Sequence, residues 1–133
     1  MMELLVKLLA AAGIMGVLDF LWLGFVAKRL YYSEIGKILL EKPNMIAALA
    51  FYVVYVVGVV VFVITPAIEK NSWQYALGCG ALFGFVAYAT YDLTNLATMK
   101  DFSTKIVIID LAWGVFLTAV VSLGSYAIVK LFF

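Results

Sequence analysis

"MIAALAFYVVYVVGVVVFVI", residues Met45 to Ile64, contains no charged side chain and no proline. As a helix rising 1.5 Å per residue, a run of that length spans about 30 Å, the thickness of a hydrocarbon core. Three more runs of comparable length flank it. They are Leu8 to Ala27, interrupted by Asp19; Asn71 to Tyr91, followed at once by Asp92; and Ile106 to Val129, interrupted by Asp110. None alternates with the period of a barrel strand.

The 133 residues are 67% hydrophobic and 13% charged, a composition that cannot cover a soluble surface. The sequence therefore predicts an all-α fold: a four-helix transmembrane bundle forming a single integral membrane domain over 1–133. The expected spans are about 4–27, 44–66, 73–98 and 105–130. The first run extends well past the h-region of a signal peptide and is expected to be retained as a span.

Between the first two spans, "RLYYSEIGKILLEKP" (29–43) sets Tyr31, Tyr32, Ile35, Ile38 and Leu39 opposite Glu34, Lys37, Glu41 and Lys42. That pattern predicts a short amphipathic helix at the membrane interface. Thr65-Pro66 is expected to end the second helix. Asp101 to Thr104 is expected to form a tight turn that caps the fourth.

Basic residues set the expected orientation. Lys28, Arg29, Lys37, Lys42, Lys100 and Lys105 lie on one side, against Lys7, Lys70 and Lys130 on the other. By the positive-inside rule both termini lie outside the cytoplasm and the chain sits in the cell's inner (plasma) membrane. The net charge of +1 and the placement of the cations at helix ends argue against nucleic acid and for membrane lipids as partners.

Chemistry is restricted by what is missing. The chain has no histidine, which removes the commonest general base and metal ligand, and its one cysteine, Cys79, offers neither a disulfide nor a zinc motif. No cofactor is expected. Carboxylates remain: each aspartate at mid-membrane costs roughly 2.5 to 3.5 kcal/mol on insertion scales. Measured from the nearest basic anchor, Asp19 lies about 13 Å deep, Asp92 about 12 Å and Asp110 about 7 Å. Their similar depth calls for a shared purpose.

The helical faces agree. Gly80, Gly84, Tyr88, Tyr91, Asp92, Asn95 and Thr98 make one stripe; Ala12, Gly16, Asp19 and Trp22 make a second; Asp110, Trp113, Gly114, Leu117 and Val121 a third. Facing inward, these stripes would enclose an acidic pocket with two indole walls. The expected ligand-binding residues are Asp19, Trp22, Tyr88, Tyr91, Asp92, Asn95, Asp110 and Trp113. At least one carboxylate is expected to carry a proton. A hard cation such as sodium, magnesium or calcium and an organic cation or lipid head group both suit such a pocket. Polar packing by Asn95, the threonines and the tyrosines is the plainer alternative. The motif D-x-x-W occurs at Asp19 to Trp22 and again at Asp110 to Trp113, on helices that run in opposite directions, and reads as two walls of one site.

"LDFLWLG" (18–24), "AFYVVYVVG" (50–58), "GALFGFVAYATYDLTNLATMKDF" (80–102) and "IDLAWG" (109–114) resemble the domain of unknown function 2177 family of small bacterial membrane proteins. That resemblance covers all the spans. It implies four helices, directs attention to Asp92, Thr94, Asn95, Asp110 and Trp113, and supplies no biochemistry.

Two classes of function stay open on the sequence. One is a homo-oligomeric protein, smallest as a homodimer, that binds and transports a small solute or cation with proton coupling. The other is a lipid-modifying membrane enzyme or an accessory subunit of one, the less economical choice because no nucleophile or cofactor motif is present.

Overall fold

The computed structural model describes every residue except Leu40, Glu41 and Pro43. Four helical segments are long and apolar enough to cross a membrane, Met2–Val26, Met45–Lys70, Trp73–Thr98 and Thr104–Phe132, and no strand occurs among the described residues. The first begins as α1 (Met2–Leu21) and finishes in a wide π turn, Trp22–Val26. The second is α3 (Met45–Val59), a π turn over Val60–Ile64, and α4 (Thr65–Lys70). The third and fourth are α5 (Trp73–Thr98) and α6 (Thr104–Phe132).

Caps fall where the sequence supplies them. Asn44, Ser72 and Ser103 accept hydrogen bonds from the backbone N–H groups of Ala47, Tyr75 and Ile106, filling donors that a helix start leaves open. The tight turn between α5 and α6 includes Asp101 at φ 62°, and Asn71 at φ 51° closes α4 in the left-handed region that asparagine tolerates.

Thr65-Pro66 does not end the second span. Pro66 occupies the first turn of α4, immediately after the π turn. A proline withholds one N–H and crowds the carbonyl a turn earlier, and the wider turn before it relieves both demands. The helix therefore continues to Lys70.

Outside and inside are inverted relative to a soluble protein. Phe20, Phe25, Val54, Phe62, Ile108 and Phe116 are exposed on the bundle, whereas Asp92, Thr118, Ser122 and Ser125 are buried in it. The apolar core gathers Ala11, Met15, Val59, Val60, Val63, Ile64, Leu117 and Val121. The most extensive helix contact is α5 against α6. Its closeness rests on glycine: a Cβ at Gly80 would lie 2.6 Å from Ser122 Oγ, and one at Gly84 would strike the Gly114 carbonyl and Thr118.

The second span is less evenly packed. From Met45 to Val54 only Tyr52 is other than exposed, whereas Tyr55, Val56, Val59 and Val60 are buried. Its first half therefore stands off from the bundle at the end where Lys28, Arg29, Lys100 and Lys105 lie.

The expected interfacial helix forms as α2 (Lys28–Ile35), followed by a single 3₁₀ turn, Gly36–Ile38. Of the stretch 29–43 that predicted it, Leu40, Glu41 and Pro43 lie outside the described residues. α2 is anchored to the rest of the chain by Ser103 Oγ, which donates to Glu34 Oε1 at 2.5 Å, and by the buried side chain of Ile35.

Candidate functional site: an acidic pocket with a paired-indole wall

All four spans and α2 converge at the basic end of the bundle around a cavity of about 460 Å³, the second span through Phe51. Asp19 and Trp22 reach it from the first span, Tyr88, Tyr91 and Asp92 from α5, and Asp110 and Trp113 from α6. Local sequence explains the convergence. On α1 and α6 the spacing D-x-x-W places carboxylate and indole on one helical face, and the π turn that starts at Trp22 widens the end of the first span at the cavity.

The two indoles stack, with ring centroids 4.4 Å apart and planes 5° from parallel. Their N–H groups are spent across the motif. Trp113 Nε1 donates to Asp19 Oδ1 at 3.2 Å, so the indole of one D-x-x-W serves the carboxylate of the other. Trp22 Nε1 donates to the Tyr31 hydroxyl at 3.2 Å, and that hydroxyl donates to Asp110 Oδ1 at 2.6 Å. The reverse crossing is thus completed through a phenol. Buried among these groups, and beside the Asp110 carboxylate to which it donates, the Tyr31 hydroxyl is held above the ordinary range of a phenol.

Asp92 is different. It has no exposed surface, and neither of its carboxylate oxygens accepts a hydrogen bond from a donor among the described residues. Buried polar atoms are nearly always paired, so a lone carboxyl lining a cavity marks a place where stability has yielded to another requirement. Above it, Tyr88 packs edge-on to Tyr55, whose hydroxyl lies 2.7 Å from Thr118 Oγ1. Tyr55 is itself buried in the core. Tyr52 donates to the Ala12 carbonyl at 2.8 Å and ties α3 to α1.

Of the residues singled out from the sequence, Asp19, Trp22, Tyr88, Tyr91, Asp92, Asp110 and Trp113 all line this cavity. Asn95 does not line it. It shares the helical face of Tyr88, Tyr91 and Asp92 but lies one turn further along α5, past the end of the cavity. Thr94 and Thr98 are exposed, and the Thr98 hydroxyl bonds back to the Thr94 carbonyl. Sequence reasoning missed Tyr31 as a site residue because it assigned that residue to the interfacial face of α2. Tyr31 and Tyr32 both line the cavity, Tyr32 at its exposed side, and the residue pattern of α2 does not separate a ring facing lipid from one facing the bundle.

A family model described as a predicted membrane protein, DUF2177, matches residues 4–127. The chain belongs to the DUF2177 family. No curated protein and no solved structure matches it. Membership fixes a membrane protein and leaves the chemistry to be argued from the pocket. In this DUF2177 chain the segments "YDLTNLAT" and "DLAWG" supply Tyr91, Asp92, Asp110 and Trp113 to one cavity.

Proposed function

We propose that this protein binds a small organic cation in the acidic pocket and moves it across the membrane in exchange for a proton. The observation that carries this reading is the chemistry of the cavity wall: three aspartates with two indoles and two phenol rings of α5. Carboxylates and aromatic faces both attract a positive charge, and a desolvated cation over an aromatic face gains about 2 kcal/mol. A metal ion is the weaker candidate, since no cluster of three ligating side chains suited to one occurs among the described residues.

The roles divide by hydrogen bonding. Asp19 and Asp110 are held by Trp113 and Tyr31 in fixed orientations and present the negative charge. Asp92, unpartnered, holds the exchangeable proton, because an ionised carboxylate with no donor is expensive in a dry setting. When a cation arrives, the Asp92 proton leaves to water and the carboxylate becomes its counter-charge. The excess of basic residues at the pocket's end supports a mouth facing the cytoplasm of an inner membrane, with both termini outside. Four helices enclose little volume, so the complete path is assigned to a homodimer.

A lipid-modifying enzyme, or an accessory subunit of one, is the alternative. It draws on the short Tyr31 to Asp110 hydrogen bond as an acid-base pair.

Native mass spectrometry of gently solubilised protein, with identification of the released material, tests the first reading. A nitrogenous cation bound to the unaltered chain and lost in Asp92→Asn and Asp110→Asn is expected. A folded protein carrying no such adduct, with proteoliposome proton flux unmoved by added organic cations, overturns it.

A further inference from the structure

The cavity has an annex. A second, apolar recess of about 300 Å³ shares Phe51, Tyr88, Tyr91 and Asp110 with the acidic pocket and adds Tyr55 and Ala87. It runs from the Asp110 carboxylate outward between the second and third spans. Phe51 and Tyr91 are 53% and 61% exposed, so the walls of the recess are also part of the bundle's outer surface. In a membrane that surface meets acyl chains. This is the side on which Met45 to Val54 stands off from the other helices, leaving α3 packed along only part of its length.

We infer that the ligand is an amphiphile: a cationic ammonium head held among Asp19, Asp92 and Asp110, with an apolar chain leaving through the recess into the surrounding leaflet. This rests on the organic-cation reading and adds the chemical class of the ligand and its route. Three observations support it. The head pocket is acidic and aromatic, with Lys28 the basic residue on its wall. Asp92 is fully buried, has no donor to its oxygens among the described residues and lines that pocket, so the carboxylate cluster is more than a solvated acidic face. The adjoining recess is bounded by aromatic rings and an alanine on every side but Asp110, a lining suited to methylenes and poorly suited to a hydrophilic solute.

Chain length is the variable to change. In phosphatidylcholine nanodiscs, an n-alkyltrimethylammonium series from tetramethylammonium to the decyl compound is titrated against Trp22 and Trp113 fluorescence in a Trp73→Phe background, referred to free aqueous ligand. If the chain stays in recess and lipid, affinity rises roughly fourfold per added methylene. Ala87→Leu and Ala87→Phe, which narrow the recess at a residue outside the acidic pocket, weaken the long members and leave tetramethylammonium unchanged. Asp110→Asn abolishes binding throughout the series.

Affinity independent of chain length overturns the amphiphile while sparing the organic-cation reading. So does a fourfold slope that survives both narrowing variants. If no member binds, both fall together. Cross-linking of Phe51→Cys between two copies in a Cys79→Ala background, with flat chain dependence, would assign the recess to a dimer contact and also overturn the inference.

Discussion

Trp22 and Trp113, from helices of opposite direction, stack at 4.4 Å with their planes 5° apart, and the indole of Trp113 donates to the carboxylate that opens the other motif, Asp19. A parallel pair of indoles couples their transitions, so near-ultraviolet circular dichroism should report the stack directly. Trp113→Phe is expected to erase the coupled signal and, by stranding Asp19 without its donor, to destabilise the protein by about 1.5 to 3 kcal/mol. Trp73→Phe, which alters an exposed indole outside the stack, should leave both readouts in place.

Asp92 should trade stability against function. Its two unpartnered oxygens carry a desolvation cost, and an apolar residue of similar size removes it. Asp92→Leu is expected to raise resistance to unfolding by about 1 to 3 kcal/mol and to abolish cation binding. A variant less stable than the unaltered chain would mean that the carboxyl is held by interactions beyond those described.

The glycines of the α5–α6 seam are not equivalent to the others. Gly84→Ala drives a methyl into the Gly114 carbonyl and Thr118 on the facing helix, with backbone on one side of the clash, and should cost about 1 to 3 kcal/mol or more. Gly78 has nothing within 4 Å of the same position. There the alanine variant should be neutral or stabilising by up to about 1 kcal/mol, since only helix propensity changes. Thermal unfolding in a mild detergent distinguishes the two.

Tyr31 gives the fold an alkaline limit. Its hydroxyl loses a proton less readily in the native protein than the free phenol does at 10.0, because of burial and then the hydrogen bond to Asp110. Below that pH the phenol is neutral in both folded and unfolded chains, and its contribution is complete. As pH rises past it, the unfolded chain ionises first and native stability falls. Tyr31→Phe should flatten this part of the pH dependence above about 10, measured as denaturation midpoint against pH.

How far the sequence discloses this protein depends on the kind of question. Hydropathic runs near thirty ångströms long locate the spans, because the bilayer imposes a length. The D-x-x-W repeat points to two walls of one pocket, because carboxylate and indole three residues apart must share a helical face. Three features escape that logic. Periodicity does not say where a helix carries a wide turn, so Pro66 reads as a terminus when it is an interior residue. It fixes a face but not how far along that face a cavity extends, so Asn95 shares the stripe of Tyr88, Tyr91 and Asp92 although it does not line the cavity. Nor does it reveal a bond between elements far apart in the chain, such as Tyr31 to Asp110.

The π turn over Val60–Ile64 has a longer reach than its five residues suggest. It takes up one residue more than an α turn holds, so everything after it lags an unbroken α-helix by up to about 100° around the axis. With that phase Thr65 meets α1, where its hydroxyl accepts from the buried Lys7 ammonium at 3.1 Å. Deleting a single residue there would leave a helix just as apolar and just as able to cross a bilayer. Its far end would face elsewhere, and the buried Lys7 at the opposite end of the bundle would lose its hydroxyl acceptor and keep only Glu3, 3.7 Å away on its own helix.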